Sequence, residues 1–189
     1  MKNNTNDPPI AYFITFETFG TRVPGDKRGS VDRRHNEFGT VSIKPNVYLE
    51  QSAKKSQTEE KLILNSDAQQ IVLQAIIDIC KDNHWNLHAA HVRTNHIHMV
   101  AEGRHKPEII MTRIKSKATK YLKKSHLKIQ RKDYWARHGS TKYLYDFENY
   151  YRAMRYTIER QGKPLALYYD KSYDDIKPPI ECAADCLMK

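Results

Sequence analysis

Cysteine is scarce in this chain: 189 residues hold three, Cys80, Cys182 and Cys186. Three scattered thiols exclude a disulfide framework, and Cys182 with Cys186 lacks the second pair that would close a zinc site. Long apolar runs are also missing, and no window approaches the roughly eighteen uninterrupted apolar residues of a membrane helix. The opening MKNNTNDPPI has no apolar run of the kind a secretory signal carries, so neither a span nor export is expected and the expected compartment is the cytoplasm. There is no phosphate-binding glycine loop, no G-x-S-x-G elbow and no obvious pair of catalytic carboxylates, which argues against a nucleotide cofactor and a serine hydrolase. What remains, 39% hydrophobic and 29% charged, is enough for one core and one domain.

Acidic residues are lacking in one region in particular. Residues 1–102 carry twelve Lys/Arg and twelve Asp/Glu, residues 103–163 seventeen against five, and residues 164–189 three against five. A middle block with twelve excess positive charges is the electrostatic footprint of a phosphate-backbone binder. Arg113, Lys117, Lys120, Lys124 and Arg131 are its candidate contacts, and the interleaved aromatics Tyr121, Tyr134, Trp135, Tyr143 and Tyr145 suit stacking on unpaired bases. Residues 20–40 hold four of the seven glycines and five Lys/Arg, and read as a long loop in which Arg22, Lys27 and Arg28 are further backbone contacts.

The periodicities order the chain. A start over 1–10 without regular structure is followed by a β-branched and aromatic strand, AYFITFE, at 11–17. Residues 41–64 are ambiguous. Ser66 reads as the N-cap of a helix whose apolar face includes Ile71, Ala75, Ile76 and Ile79. Strands over 85–93 and 96–102 form a hairpin around Thr94 and Asn95, and Pro107 opens a helix running to about Lys124 with Ile110, Ile114, Ala118, Tyr121 and Leu122 inward. A basic connector, a short extended piece (TKYLY) and a helix N-capped by Asp146 and stopped by Gly162 and Pro164 complete the body at 165, before a tail over 166–189. This order predicts an α+β, ferredoxin-like sandwich: a central antiparallel sheet with helices packed on one face.

The sharpest chemistry is His96-Ile97-His98 on a strand, because residues i and i+2 project to one face and set two imidazoles side by side. Ile97 and Met99 suit the core, so the histidines are expected to look out from the sheet. Two imidazoles leave open positions on a divalent metal for a phosphate oxygen and water. His88, His91 and His105 follow no zinc spacing. On the last helix Phe147, Tyr151, Met154 and Ile158 form the expected core stripe, and Tyr156 falls about 180° from Phe147. An aromatic placed against its own helix invites a role as nucleophile, with Arg152, Arg155 and Arg160 on the same helix.

These segments together resemble the single-tyrosine HUH transposases, the IS200-like and REP-associated tyrosine transposases. The resemblance is carried by HAAHVRTNHIHMV, KPEIIMTRIKSKATKYL, YWARHGSTKYLY and ENYYRAMRYTIERQG, and the loop GTRVPGDKRGSVDRRHNEFGT is similar to a signature of one branch. It covers roughly residues 11–165. It implies a metal-dependent endonuclease and strand transferase on single-stranded DNA, with a hairpin as recognition element and both monomeric and dimeric relatives. By the same resemblance His96 and His98 hold Mg²⁺ or Mn²⁺, and Tyr156 attacks the scissile phosphate to give a 5′-phosphotyrosine. Relatives commonly place Gln or Asn four residues after the tyrosine as a third ligand; here that position is Arg160, which cannot ligate a cation. Gln161, favoured by the motif, and Glu159, one turn from the tyrosine, are the two alternatives. A non-catalytic nucleic-acid-binding module on the same fold and a water-using metal phosphodiesterase are the competing functions.

Overall fold

The computed structural model describes residues 7–27, 45–57 and 59–176. Arg28 and most of the long basic loop lie outside the described residues, as does the end of the chain from 177. The elements are β1 (Ala11–Thr18), α1 (Val47–Lys55), α2 (Ser66–Asp82), β2 (Asn86–Val92), β3 (His96–Glu102), α3 (Pro107–Lys124), β4 (Trp135–Leu144), α4 (Phe147–Glu159), β5 (Ala166–Tyr169) and α5 (Ser172–Ile176). The strands form one five-stranded sheet in the order β4-β1-β3-β2-β5, with every neighbouring pair antiparallel. No described helix is long and apolar enough to cross a membrane.

Alternation along β1 and β3 divides the two faces. Tyr12, Ile14 and Phe16, with Ile97, Met99 and Ala101, pack against α2 and α3 to form the larger core. Ala11, Phe13 and Val100 point the other way, where they meet Tyr150, Ala153 and Met154 of α4. The expectation of helices on one face therefore holds for α2 and α3, whereas α4 closes the opposite face. The reason is that β1, β2 and β3 carry apolar residues on both faces, so each face gains by being covered.

Local signals mostly decide the ends of the elements. Asn65, not Ser66, caps α2: its side-chain oxygen accepts from the Ala68 backbone N–H at 2.9 Å. Asp146 caps α4 as the sequence predicts, accepting from the Asn149 N–H at 2.8 Å. The short extended piece expected at 141–145 is the end of a ten-residue strand, β4, whose start is fixed by tertiary contacts. The Trp135 indole donates to Lys115 O (3.0 Å) and Thr119 Oγ1 (2.9 Å), and the Lys115 ammonium donates to Ala136 O (2.9 Å) and His138 O (3.2 Å). At Gly139 a Cβ would sit 2.5 Å from both Met111 Sδ and Thr15 O, so only glycine lets β4 lie this close to β1 and α3. Residues 166–176, set apart as tail by the sequence, continue the sheet: β5 pairs with β2, and Tyr173 is buried against α4.

Candidate active site on the α4 face

His96 and His98 leave β3 on the α4 face, as their spacing requires, while Ile97 and Met99 are fully buried on the other. Their ring centroids are 4.9 Å apart. The pair does not look out to solvent: His98 is only 6% exposed because α4 lies over it. Burial, reinforced by the neighbouring His96, His91 and Arg93, pushes the His98 pKa down to about 4, so the ring is neutral at physiological pH. Thr15, directly opposite on β1, holds His98 Nδ1 at 2.8 Å from its hydroxyl.

Of the expected stripe Met154 is buried and Tyr151 and Ile158 pack half-buried beside it, whereas Phe147 departs from it. Buried positions on α4 are Tyr150, Ala153, Met154 and Thr157, whereas Phe147 is 57% exposed. At 100° per residue this puts Tyr156 about 110° from the middle of the buried face, on its flank and not opposite it. A flank residue can touch the sheet and still reach solvent. Tyr156 is 43% exposed, and its ring meets His98 edge-on at 5.1 Å and Phe13 at 6.0 Å between centroids.

The end of α4 brings in a further donor. The helix stops at Glu159, Arg160 is its C-cap, and Gly162 turns the chain at φ +70°, a left-handed conformation that glycine adopts readily. Gln161, released from the helix, folds back so that its amide nitrogen donates to Tyr156 O at 3.2 Å and its oxygen lies 3.4 Å from His96 Nε2. Glu159 is engaged elsewhere, accepting from the Tyr173 hydroxyl at 3.0 Å and pairing with Arg155 at 3.4 Å.

His91 sits at zero exposure beneath the same turn. Its Nδ1–H donates to Thr157 O at 2.9 Å, and its Nε2 accepts from the Leu165 N–H at 3.3 Å, so it pins the end of α4 to β2. The Arg93 guanidinium donates to Lys163 O at 2.5 Å and adds a second tie. His88 lies against Tyr150, and His105 against Trp85, both away from the pair. Thr15, Phe13, Asn95, His91 and Arg93 carry no sequence signal for this role; the pairing of β3 with β1 and β2 and the turn between β2 and β3 assign them. Among the described residues no group of three or more His, Cys, Asp or Glu side chains is placed to hold a metal ion. The oxygen donor beside His96 is instead the Gln161 amide.

The cationic candidates divide. Arg113 donates to Asn83 Oδ1 (2.7 Å) and stands over Trp85, and Lys117 pairs with Asp82 (2.9 Å), so both are held against α2. Arg131 is 13% exposed, with its guanidinium engaged by Asp133 O, Glu60 O and Glu59. Lys120 and Lys124 are exposed on the outside of α3, on the far side of the sheet from Tyr156. Arg22 pairs with Glu17 at 2.9 Å, and Lys27 is the last described residue of the loop.

Comparison with known proteins matches part of the chain. Residues 56–145, just under half of the chain, match the family described as "Transposase IS200 like". The matching segment includes β3 with both histidines and ends before α4. Among solved structures the chain is similar to a REP-associated tyrosine transposase bound to a REP hairpin, at 14% identity and a TM-score of 0.45, covering 82% of this chain and 69% of that one. Curated proteins give no match.

Proposed function

We propose that the chain is a metal-dependent endonuclease and strand transferase on single-stranded DNA, acting through a 5′-phosphotyrosine on Tyr156. The observation that carries this reading is the 5.1 Å contact between the half-exposed Tyr156 ring and His98, itself 4.9 Å from His96.

The residues present fit a divalent cation. The Asn95 side-chain oxygen lies 2.8 Å from His96 Nδ1 and accepts its N–H, which leaves a lone pair on Nε2. That nitrogen faces Gln161 Oε1, another acceptor, whose orientation is fixed because the amide NH₂ is used on Tyr156 O. Two acceptors facing each other at 3.4 Å suit a cation between them. In the tautomer whose Nδ1–H donates to the Thr15 hydroxyl, His98 likewise keeps its Nε2 lone pair. His96, His98 and Gln161 would hold Mg²⁺ or Mn²⁺, which when bound supplies Lewis-acid polarisation of the scissile phosphate.

The protein's own part is positioning and nucleophilic attack. The Tyr156 phenolic oxygen forms a bond to phosphorus, the P–O3′ bond breaks, the phenolic proton is lost to solvent and the departing 3′ oxygen is protonated. Rejoining reverses these changes, with an incoming 3′-hydroxyl displacing tyrosine. His91 pins the end of α4 to β2, the strand beside β3, through Thr157 O, and the Gln161 amide is held in place by its bond to Tyr156 O. The exposed lysines Lys120 and Lys124 on α3, with Arg22 and Lys27, are proposed as outlying contacts to the DNA backbone, a hairpin arm included.

The test is incubation with Mn²⁺ and single-stranded oligonucleotides from DNA flanking the gene, followed by a denaturing gel. A protein–DNA adduct stable to boiling, absent in Tyr156→Phe and in His96→Ala, is the expected result. Cleavage that survives Tyr156→Phe without an adduct would transfer the reading to a water-using phosphodiesterase. Salt-sensitive binding unaffected by chelator, with no cleavage, would leave a binding module.

A further inference from the structure

α4 covers the sheet unevenly. It packs on Ala89 of β2 and Val100 of β3 and covers Ala11 and Leu144 at one end of the β1–β4 pair, while further along that pair the same face is open, with Ser140 and Lys142 exposed. Strand pairing identifies what lines this open strip. Lys142 stands directly opposite Phe13, and Ser140 directly opposite Thr15. Residues opposite each other in an antiparallel pair share a face with Cβ atoms about 5 Å apart. Phe13 packs toward α4 and Thr15 holds His98, so Lys142 and Ser140 belong to the Tyr156 face; both are exposed. The opposite parity is independently marked, since Thr141 bonds Glu108 of α3 and Tyr143 meets Tyr12.

The strip therefore offers an aromatic ring and an ammonium group next to the tyrosine. These are the two chemistries by which a sequence-tolerant site holds a single strand, stacking and phosphate neutralisation. Charge elsewhere near the strip is already balanced: Glu17 is paired with Arg22, Glu148 with Arg152 and Glu159 with Arg155. No ion pair involves Lys142 among the described residues.

We infer that the open β1–β4 strip is the track of the single strand beside Tyr156, with Lys142 as the residue that contacts a backbone phosphate there. This deepens the proposed function and rests on it for the identity of the ligand. Lys142 escapes sequence reasoning because nothing in TKYLY tells which face of the strand each residue takes until the register with β1 is known.

The experiment uses the full chain and dye-labelled single-stranded oligonucleotides from the DNA flanking the gene, with affinity read by anisotropy over a series of NaCl concentrations. Lys142→Gln is expected to bind roughly fivefold more weakly, with a salt slope smaller by about 0.7, the contribution of one phosphate on a single strand. Lys142→Arg should restore both, and Lys81→Gln on α2 should match the wild type. Since Lys142 is exposed, thermal melting should be the same for all. Equal affinity and slope for Lys142→Gln and wild type would overturn the inference, as would an equal loss in Lys81→Gln, which would mean only bulk charge. The two readings separate cleanly. A wild type that forms the tyrosine adduct while Lys142→Gln binds normally sinks the track alone, whereas Lys142-dependent binding without any adduct sinks the catalysis and leaves the track.

Discussion

The two faces of one sheet differ in what they ask of the same strands. On the α2–α3 face, β3 contributes Ile97, Met99 and Ala101 to a continuous apolar core, and the nearby cations Arg113 and Lys117 are tied down by polar groups of α2. On the α4 face the alternate residues are His96, His98 and Val100, and the buried set includes His91 and Thr157. The first face is stabilised by area removed from water; the second spends burial on polar groups, with His98 held by Thr15 and His91 by Thr157 and Leu165. A single strand thus sets apolar core residues and paired imidazoles one residue of register apart, and substitutions on either side should separate their contributions experimentally.

The largest contrast is between adjacent positions of β3. His98→Ala is expected to reduce adduct formation by at least about a hundredfold, since losing even an outer-shell partner of a ligand typically costs ten- to a hundredfold. Met99→Ala should instead lose about 2–5 kcal/mol of stability through a cavity, with activity per folded molecule retained. Urea unfolding and the denaturing-gel assay, run on both variants, check this; a Met99→Ala protein that is stable but inactive would break the division.

Acidification should act through the α4 face. Burial lowers the pKa of His98 to about 4 and also lowers those of His91 and His88. In the unfolded chain an imidazole takes its proton near 6.5, so between there and about 4 the unfolded state binds more protons. Stability therefore falls as pH drops through that window and is unaffected by these rings well above it. His98 alone accounts for something on the order of 3 kcal/mol by pH 4. Melting temperature against pH reads the effect, and His98→Gln should flatten the slope. A profile equally steep in that variant would assign the acid sensitivity to His91 and His88.

The smallest effect belongs to the outside of the α2–α3 face. Replacing Lys120 and Lys124 together by Gln is expected to weaken DNA binding uniformly across sequences and to lower the salt slope by no more than roughly 1.4, two single-strand phosphates. The position of cleavage should not move. A shifted cleavage site would mean that this face guides the strand into the site, and would erase the contrast between the two faces.

Much of this arrangement is readable in the sequence because it depends on local periodicity. The His-x-His spacing fixes a shared face for any extended strand, and the bounds of β3 and α3 coincide with their sequence patterns. Helix α1 is less legible: none of its residues is buried, and Val47, Tyr48 and Leu49 are exposed, so it has no apolar face to announce it. The α4 face is legible only in part: Met154 is buried as its period requires, but Phe147, a core residue by type, is exposed. In the fold the small Ala153 and the hydroxyl-bearing Thr157 are buried instead, since α4 must approach β2 closely and Thr157 returns its hydroxyl to Ala153 O.

By itself the sequence determined the chemical groups and their local directions: two imidazoles on one strand face, a tyrosine off the helix core, and a glycine able to end that helix. The register between β1, β3 and β4 was decided only by the tertiary structure, and with it the pairing of Thr15 with His98 and of Lys142 with Phe13. So was the choice of Gln161 over Glu159 as the side chain beside His96, because α5 engages the glutamate through Tyr173. These relations join residues tens of positions apart, and no local propensity encodes which of two neighbouring side chains a distant strand will meet.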